Sequence, residues 1–376
     1  MNFASVIGHR QVKQRLLTAA RDKRVSHTLL FLGPEGSGNL PMAMAFAQYL
    51  VCEDPGENDS CGTCSACLKM NKMVHPDVTF TYPVAPKEKI SKPKSVDFVA
   101  QWRQAVLENP YLSYNDWMLT LDLDNKQGLI SVEESSDIIN RLNLKAVEAP
   151  YRIVIIWLPE KLHTSAANKL LKILEEPPQD ALFFLVAENY EDIMQTILSR
   201  TQLVKVGRIS DEEMFGVLTE KHGLDKITAR RMVHRADGSY NEALSLLGNN
   251  EAENDLSNRF LSWMRSCLKL NAKEISEMAG TFSSESREQQ KIFLKHALDI
   301  ARECLLINYA DRSLIRLEGS DLESMQRFAP FVNINNAEDF IQELNTASFH
   351  IERNGNSKMV FTDLSFKMYH LLQVKA

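Results

Sequence analysis

The 376-residue sequence contains no apolar run approaching the ~20 residues a membrane-spanning helix needs. Its first residues lack the basic, apolar and small-residue succession of a secretory signal. The expectation is a cytosolic chain with no membrane partner. A surplus of positive charge is missing as well. Forty-three Lys and Arg stand against 49 Asp and Glu, a formal charge of −6. That balance argues against a chain that holds nucleic acid alone by bulk electrostatics, although a local basic face remains open. Cysteine is scarce and uneven: four of the six lie between Cys52 and Cys67, while Cys267 and Cys304 stand apart. In a cytosolic chain such clustering favours a metal over disulfides. Internal repeats and low-complexity tracts are missing too. Hydrophobic residues make up 44% of the chain, enough for ordinary cores and against disorder. The length suits about two or three domains.

The most informative absence lies in Gly33-Pro34-Glu35-Gly36-Ser37-Gly38-Asn39-Leu40. A short apolar run, Thr28–Leu32, precedes it and a helix-like run, Met42–Val51, follows. Strand, glycine-rich turn and helix in that order are the setting of a phosphate-binding loop, G-x-x-x-x-G-K-[S/T]. In such a loop backbone N–H groups cradle phosphates, the lysine reaches the β/γ-phosphates and the hydroxyl holds Mg²⁺. Gly33, Gly36 and Gly38 keep the glycine framework, but Asn39 stands at the lysine position and Leu40 at the hydroxyl position. An active site of this kind also needs an acid at the end of a nearby buried strand. The apolar run Arg152–Ile156 ends in Trp157-Leu158-Pro159-Glu160. Neither residue directly after the run is acidic, and Glu160 comes a turn later, where it is expected to point elsewhere. With lysine, hydroxyl and acid all missing, the loop is expected to be empty, with no ATP hydrolysis by this chain.

Around this loop, apolar runs at 78–82, 152–158, 181–187 and 203–206 read as strands, with helix patterns between them. That alternation indicates a parallel α/β sheet up to residue 207. Pro83–Lys94, rich in Pro and Lys, reads as a linker, and 83–127 as an insertion of unknown role. Short helix patterns follow over 208–249, and 250–376 reads as long helices. Boundaries are therefore expected near 207 and 249.

Cys52, Cys61, Cys64 and Cys67 have the spacing C-x8-C-x2-C-x2-C. Four thiolates suit tetrahedral Zn²⁺ in a closed, structural site, and Gly56, Asp59 and Gly62 let the chain turn around it. Ser199-Arg200-Thr201 carries the remaining catalytic candidate. An Arg on a surface turn can project into a neighbour's site, where its planar guanidinium suits a transferring phosphoryl group. Taken alone, such an Arg is a solvated or ion-paired surface residue.

The combination resembles the delta-prime family of bacterial DNA polymerase III clamp-loader subunits, which are AAA+ proteins. The resembling residues are Val6-Ile7-Gly8-His9, Gly33–Gly38, the four-cysteine module, His75-Pro76-Asp77 and the run Ala166–Pro178 ending in Leu174-Glu175-Glu176-Pro177-Pro178. To these are added Ser199-Arg200-Thr201, where the family has Cys in place of Thr201, and Ala236-Asp237-Gly238-Ser239. Residues 351–371 look like the family's last helix. The resemblance implies an AAA+ α/β P-loop module (1–207), a small helical lid (208–249) and an all-helical collar (250–376). It implies a non-hydrolysing stator that donates Arg200 in trans to a neighbouring subunit's ATP. The implied partners are the clamp-loader ATPase subunits, the delta subunit, primer-template DNA within the complex and, indirectly, the sliding clamp. The ATP-hydrolysing tau/gamma-type subunit shares these features and is the alternative. It would need a lysine in place of Asn39 and an acid in place of Trp157 or Leu158.

Overall fold

The computed structural model describes residues 1–87, 90–123, 126–142, 145–248, 250–310 and 319–375. They divide into two compact units, Met1–Leu244 and Ser245–Ala376. The expected boundary at 207 falls inside the first unit, and Asn249 lies outside the described residues.

The first unit is built on five parallel strands: β1 (Thr28–Leu32), β2 (Val78–Thr81), β3 (Arg152–Trp157), β4 (Ala181–Ala187) and β5 (Gln202–Lys205). Their order across the sheet is β2-β3-β4-β1-β5. Its helices are α1 (Arg10–Arg21), α2 (Asn39–Val51), α3 (Ser65–Asn71), α4 (Val99–Glu108), α5 (Tyr114–Thr120) and α6 (Val132–Leu142). After β3 come α7 (Thr164–Glu175), α8 (Gln195–Leu198), α9 (Asp211–Glu220), α10 (Lys226–Ala236) and α11 (Tyr240–Gly248). The division between the units falls within α11.

The sheet is covered on both faces, which is why its central strands read as unbroken apolar runs. All seven residues of β4 are buried. Leu29, Phe31, Ile153, Ile155, Trp157, Leu182, Phe184 and Val186 pack with α2 on one side. Leu30, Val154, Ile156, Phe183 and Leu185 pack with α6 and α7 on the other. The alternation follows the two-residue period of a strand. Every residue of α2 is buried, so this helix is apolar on all sides rather than amphipathic. Phe46 stacks on Phe184 of β4 with ring centroids 5.5 Å apart. Pro41 sits in the first turn of α2, where its missing N–H costs no intrahelical bond.

Segment 83–127 corrects the linker reading. Val84 and Ala85 are buried, and Val84 bridges Leu129 in antiparallel fashion. The lysines that suggested a linker are tied down: Lys87 Nζ donates to Leu121 O (2.9 Å), Lys94 pairs with Asp137 (3.0 Å) and Lys92 with Glu133 (3.1 Å). Lys89 lies outside the described residues. Beyond them, α4 and α5 contribute Trp102 and Trp117, both fully buried. Trp102 stacks on Tyr82 at 4.1 Å and lies 5.1 Å from Trp157 at the end of β3. The insertion thus completes the core over β3. An aromatic cluster of this size contributes both buried area and ring geometry.

The second unit is helical among its described residues: α12 (Asn250–Leu268), α13 (Ala272–Ser284), α14 (Arg287–Tyr309), α15 (Gly319–Phe328), α16 (Ala337–Glu352) and α17 (Ser357–Leu372). Trp263, Phe282, Phe293 and Phe361 form its centre, with Phe282 stacked on Phe361 at 4.4 Å. Among the described residues no helix is long and apolar enough to cross a membrane.

Candidate functional site

The glycine-rich loop sits at the C-terminal end of β1, where the strand order reverses between β4 and β5. Open α/β sheets place ligands at such a point. Gly36 and Gly38 both take positive φ (71° and 100°), the backbone a phosphate loop requires. The loop keeps that shape but is closed by its own chain. Ser37, Asn39 and Leu40 are all buried. The Asn39 amide fills the lysine position and turns inward: Nδ2 donates to Gly33 O (3.0 Å) and to Ala187 O (2.9 Å). Its Oδ1 accepts from Leu40 N (2.8 Å). Asn39 therefore laces the loop to the end of β4 and leaves no group reaching outward.

Three other segments press on the loop. His9 Nε2 donates to Ser37 O (2.7 Å), which requires the proton on that nitrogen. Burial lowers the His9 pKa, and the bond to Ser37 only partly offsets this. The Tyr111 ring lies against Gly38, and a Cβ at Gly36 would collide with Ser239 Oγ. Tyr240 N donates to Gly36 O (2.9 Å). A serine hydroxyl thus lies where any side chain at position 36 would begin. Ser239 belongs to the Asp237-Gly238 turn legible in the sequence. Its contact with a loop some 200 residues earlier leaves no local signal (roughly, by sequence separation).

The strand-end half of the site has also changed. Trp157 points into the aromatic core and is 1% exposed. Leu158 adopts a left-handed conformation (φ 57°), an uncommon and costly one for a branched residue, and is held by its N–H to Val186 O (2.8 Å). That turn swings Glu160 back. Contrary to the sequence expectation, its carboxylate reaches the end of β4, where Oε1 accepts from Glu188 N (2.9 Å). Burial, then the charges of Glu35 and Glu160, hold the Glu188 pKa well above the usual carboxylate range. Glu160 and Glu188 thus meet at the end of β4, next to the Ala187 carbonyl that Asn39 holds. Periodicity gave no hint of Glu188 as a member of this group.

The four cysteines come together as the spacing predicts. Their Sγ atoms all lie within 4.8 Å of one another, with Cys52–Cys64 and Cys61–Cys67 each at 3.9 Å. Zn–S bonds of about 2.3 Å in a tetrahedron require S–S separations of about 3.8 Å. Backbone amides aim at the sulfurs in sequence: Cys61 N to Cys52 Sγ (3.3 Å), Cys64 N to Cys61 Sγ (3.3 Å) and Cys67 N to Cys64 Sγ (3.4 Å). Donors of this kind stabilise thiolate ligands. The N–H groups of Cys64 and Thr63 draw Cys61 down to about 6, whereas burial pushes Cys52 and Cys67 up. The donor set and its spacing fit a structural zinc. Asp59 moors the module, accepting from Phe3 N (3.0 Å) and Ala4 N (2.8 Å).

Arg200 lies between α8 and the edge strand β5. Its Nε and Nη2 donate to Glu175 Oε2 (3.1 and 2.9 Å), and Nη1 donates to Thr196 O (2.9 Å). The guanidinium is thereby oriented but still partly exposed (29%). Its carboxylate partner comes from the Leu174–Pro178 motif, a pairing sequence reading did not foresee. His75-Pro76-Asp77 has a structural task. The Asp77 carboxylate accepts from Val147, Glu148 and Ala149 N–H (2.7–2.9 Å). Burial pushes its pKa up, but these three donors outweigh it and the net shift is downward.

A parallel sheet in the order β5-β1-β4-β3-β2 with a glycine loop after β1 and a helical turn folded over that loop defines an AAA+ P-loop module. Within that class, residues 8–210 match the family described as DNA polymerase III, delta subunit, and the chain belongs to that family. It is similar to the DNA polymerase III subunit tau of Bacillus subtilis, 26% identical over 250 residues covering 65% of this chain and 37% of that protein. It is likewise similar to the subunit delta' of Escherichia coli, 26% identical over 190 residues covering 50% of this chain and 45% of that one. The matched region thus spans less than half the length of these curated relatives. A solved gamma subunit-related protein of Thermotoga maritima is 15% identical, with a TM-score of 0.39 over 95% of this chain and 99% of that one.

Proposed function

We propose that this chain is a non-hydrolysing, delta-prime-type subunit of the DNA polymerase III clamp loader. It acts as a stator in loading the sliding clamp onto primer-template DNA. It neither binds nor hydrolyses ATP, and it lends Arg200 to the ATP of an adjacent ATPase subunit. Its partners are those ATPase subunits and the delta subunit. The observation that carries this reading is the closed loop. Asn39 spends its amide on Gly33 and Ala187, and Ser239 and Tyr240 cover Gly36.

In the neighbour's site the guanidinium would meet charge that builds on the transferring phosphoryl group. Its planar donors suit that charge, and arginine fingers are worth about 10³–10⁵ in rate. Glu175 holds Arg200 by two donors to one oxygen, and Thr196 O takes a third from Nη1; these bonds preset its direction while the side chain stays partly exposed. Zinc at Cys52, Cys61, Cys64 and Cys67 would crosslink the segment after α2 and has no part in the chemistry.

The alternative, an ATP-hydrolysing tau/gamma-type subunit, is favoured by the longer match to the Bacillus subtilis tau subunit than to delta'. Titration of the purified chain with MgATP separates the two. The stator reading expects neither binding nor turnover. Tight binding with turnover in isolation would replace it with the alternative.

A further inference from the structure

A lid that closes over a nucleotide draws its closing free energy from the ligand it covers. Here the lid turn is closed, and the contacts that close it come from the insertion. Asn241, the second residue of α11, is gripped from two sides. Its Oδ1 accepts from Asn109 Nδ2 (2.6 Å) and its Nδ2 donates to Asp116 Oδ2 (2.8 Å). Asn109 caps the end of α4, and Asp116 stands in the first turn of α5. Both jaws are themselves fixed. Asn109 Oδ1 accepts from Tyr111 N (3.0 Å), and Asp116 Oδ2 accepts from Ser113 N (2.8 Å) and Ser113 Oγ (2.7 Å).

Tyr111 adds an apolar contact between the same partners. Its ring meets Tyr240 edge-on at 4.9 Å, while its hydroxyl accepts from Ile7 N (2.8 Å). The same ring lies over Gly38. Tyr240 in turn donates its N–H to Gly36 O. A continuous path therefore runs from the insertion through Asn241 and Tyr240 to the glycine loop. The base of the insertion does not move freely: Trp117 is fully buried and donates Nε1 to Pro83 O (2.8 Å).

We infer that residues 109–117 of the insertion are an internal latch, holding the lid turn 237–241 against the glycine loop in the place a nucleotide would hold it. Lid closure is then a constant property of the chain rather than a response to ATP. The inference rests on the reading that the loop takes no nucleotide, and the two fail separately. MgATP binding by the wild-type chain defeats that reading; wild-type lid behaviour in latch variants defeats the latch alone.

The test is amide hydrogen exchange on the full chain with Asn109→Ala and Asn241→Ala combined. Loss of the two hydrogen bonds that grip Asn241, together with the Asn109–Tyr111 bond behind them, should speed exchange of the 240–244 amides by at least about tenfold. The amides of β1 and β4 should keep wild-type rates, and added MgATP should not restore protection. Exchange at 240–244 within about twofold of wild type would overturn the latch. Should β1 and β4 also open, Asn241→Asp decides. It keeps the shape but sets a carboxylate against Asp116, so faster exchange confined to 240–244 supports the latch and wild-type exchange overturns it.

Discussion

At position 39 an amide does what a lysine ammonium does not: it both donates and accepts within its own chain. Restoring the lysine should therefore not restore an ATPase. Asn39→Lys is expected to hydrolyse no MgATP and to melt at a lower temperature, because its long cation has no outlet past Ser239 and Tyr111. Measurable turnover in a phosphate-release assay would count against the closed-loop account. Glu188 gives a pH-dependent test. Its folded pKa is raised above the unfolded value of about 4.5 by burial, then by Glu35 and Glu160. Stability from this group is thus fully present below the unfolded pKa and lost as pH rises through the folded one. Glu188→Gln should raise Tm at pH 7–8 (roughly, well above the ordinary range) and leave it near wild type at about pH 4. Thermal melts across that range check the sign.

Among the elements, α2 links the glycine loop to the cysteine module: its N-terminus begins at the loop and its C-terminus ends at Cys52. Removing metal with a chelator should loosen 52–71 and the Asp59 mooring to Phe3, read as new protease cleavage there; elemental analysis of chain purified without chelator should find zinc. Intact protection and no zinc would remove the assignment. The insertion is equally structural. Trp102→Ala should cost about 3–5 kcal/mol in denaturant unfolding, because it empties the space between Tyr82, Trp117 and Trp157. Much of this was legible in sequence where chemistry is local. The runs of β1, β3 and β4 declare themselves because both faces are buried, and the cysteine spacing declares its cluster. β5 falls one residue earlier than its apolar run suggests, because this edge strand is mostly exposed and hydrophobicity does not locate it. Helix α3 was hidden inside the cysteine segment. The linker reading of 83–94 failed because Pro and Lys density masks the buried Val84 and Ala85.

At the scale of the whole molecule, the sequence could show which residues of the phosphate-loop pattern are replaced but not what the replacements contact. Asn241 meets Asp116 across 125 residues and Asn39 meets Ala187 across 148, and no periodicity encodes such pairings. Arg200 was legible only as a motif; its orientation by Glu175 required the fold. The account makes this chain a fixed member of an assembly, whose one chemical group acts outside its own boundary. The most direct measurement is the clamp- and primer-template-stimulated ATPase rate of a clamp loader reconstituted with Arg200→Ala. Given the worth of arginine fingers, the account predicts a fall of at least about tenfold with assembly intact. A stimulated rate equal to wild type in the intact complex would contradict it.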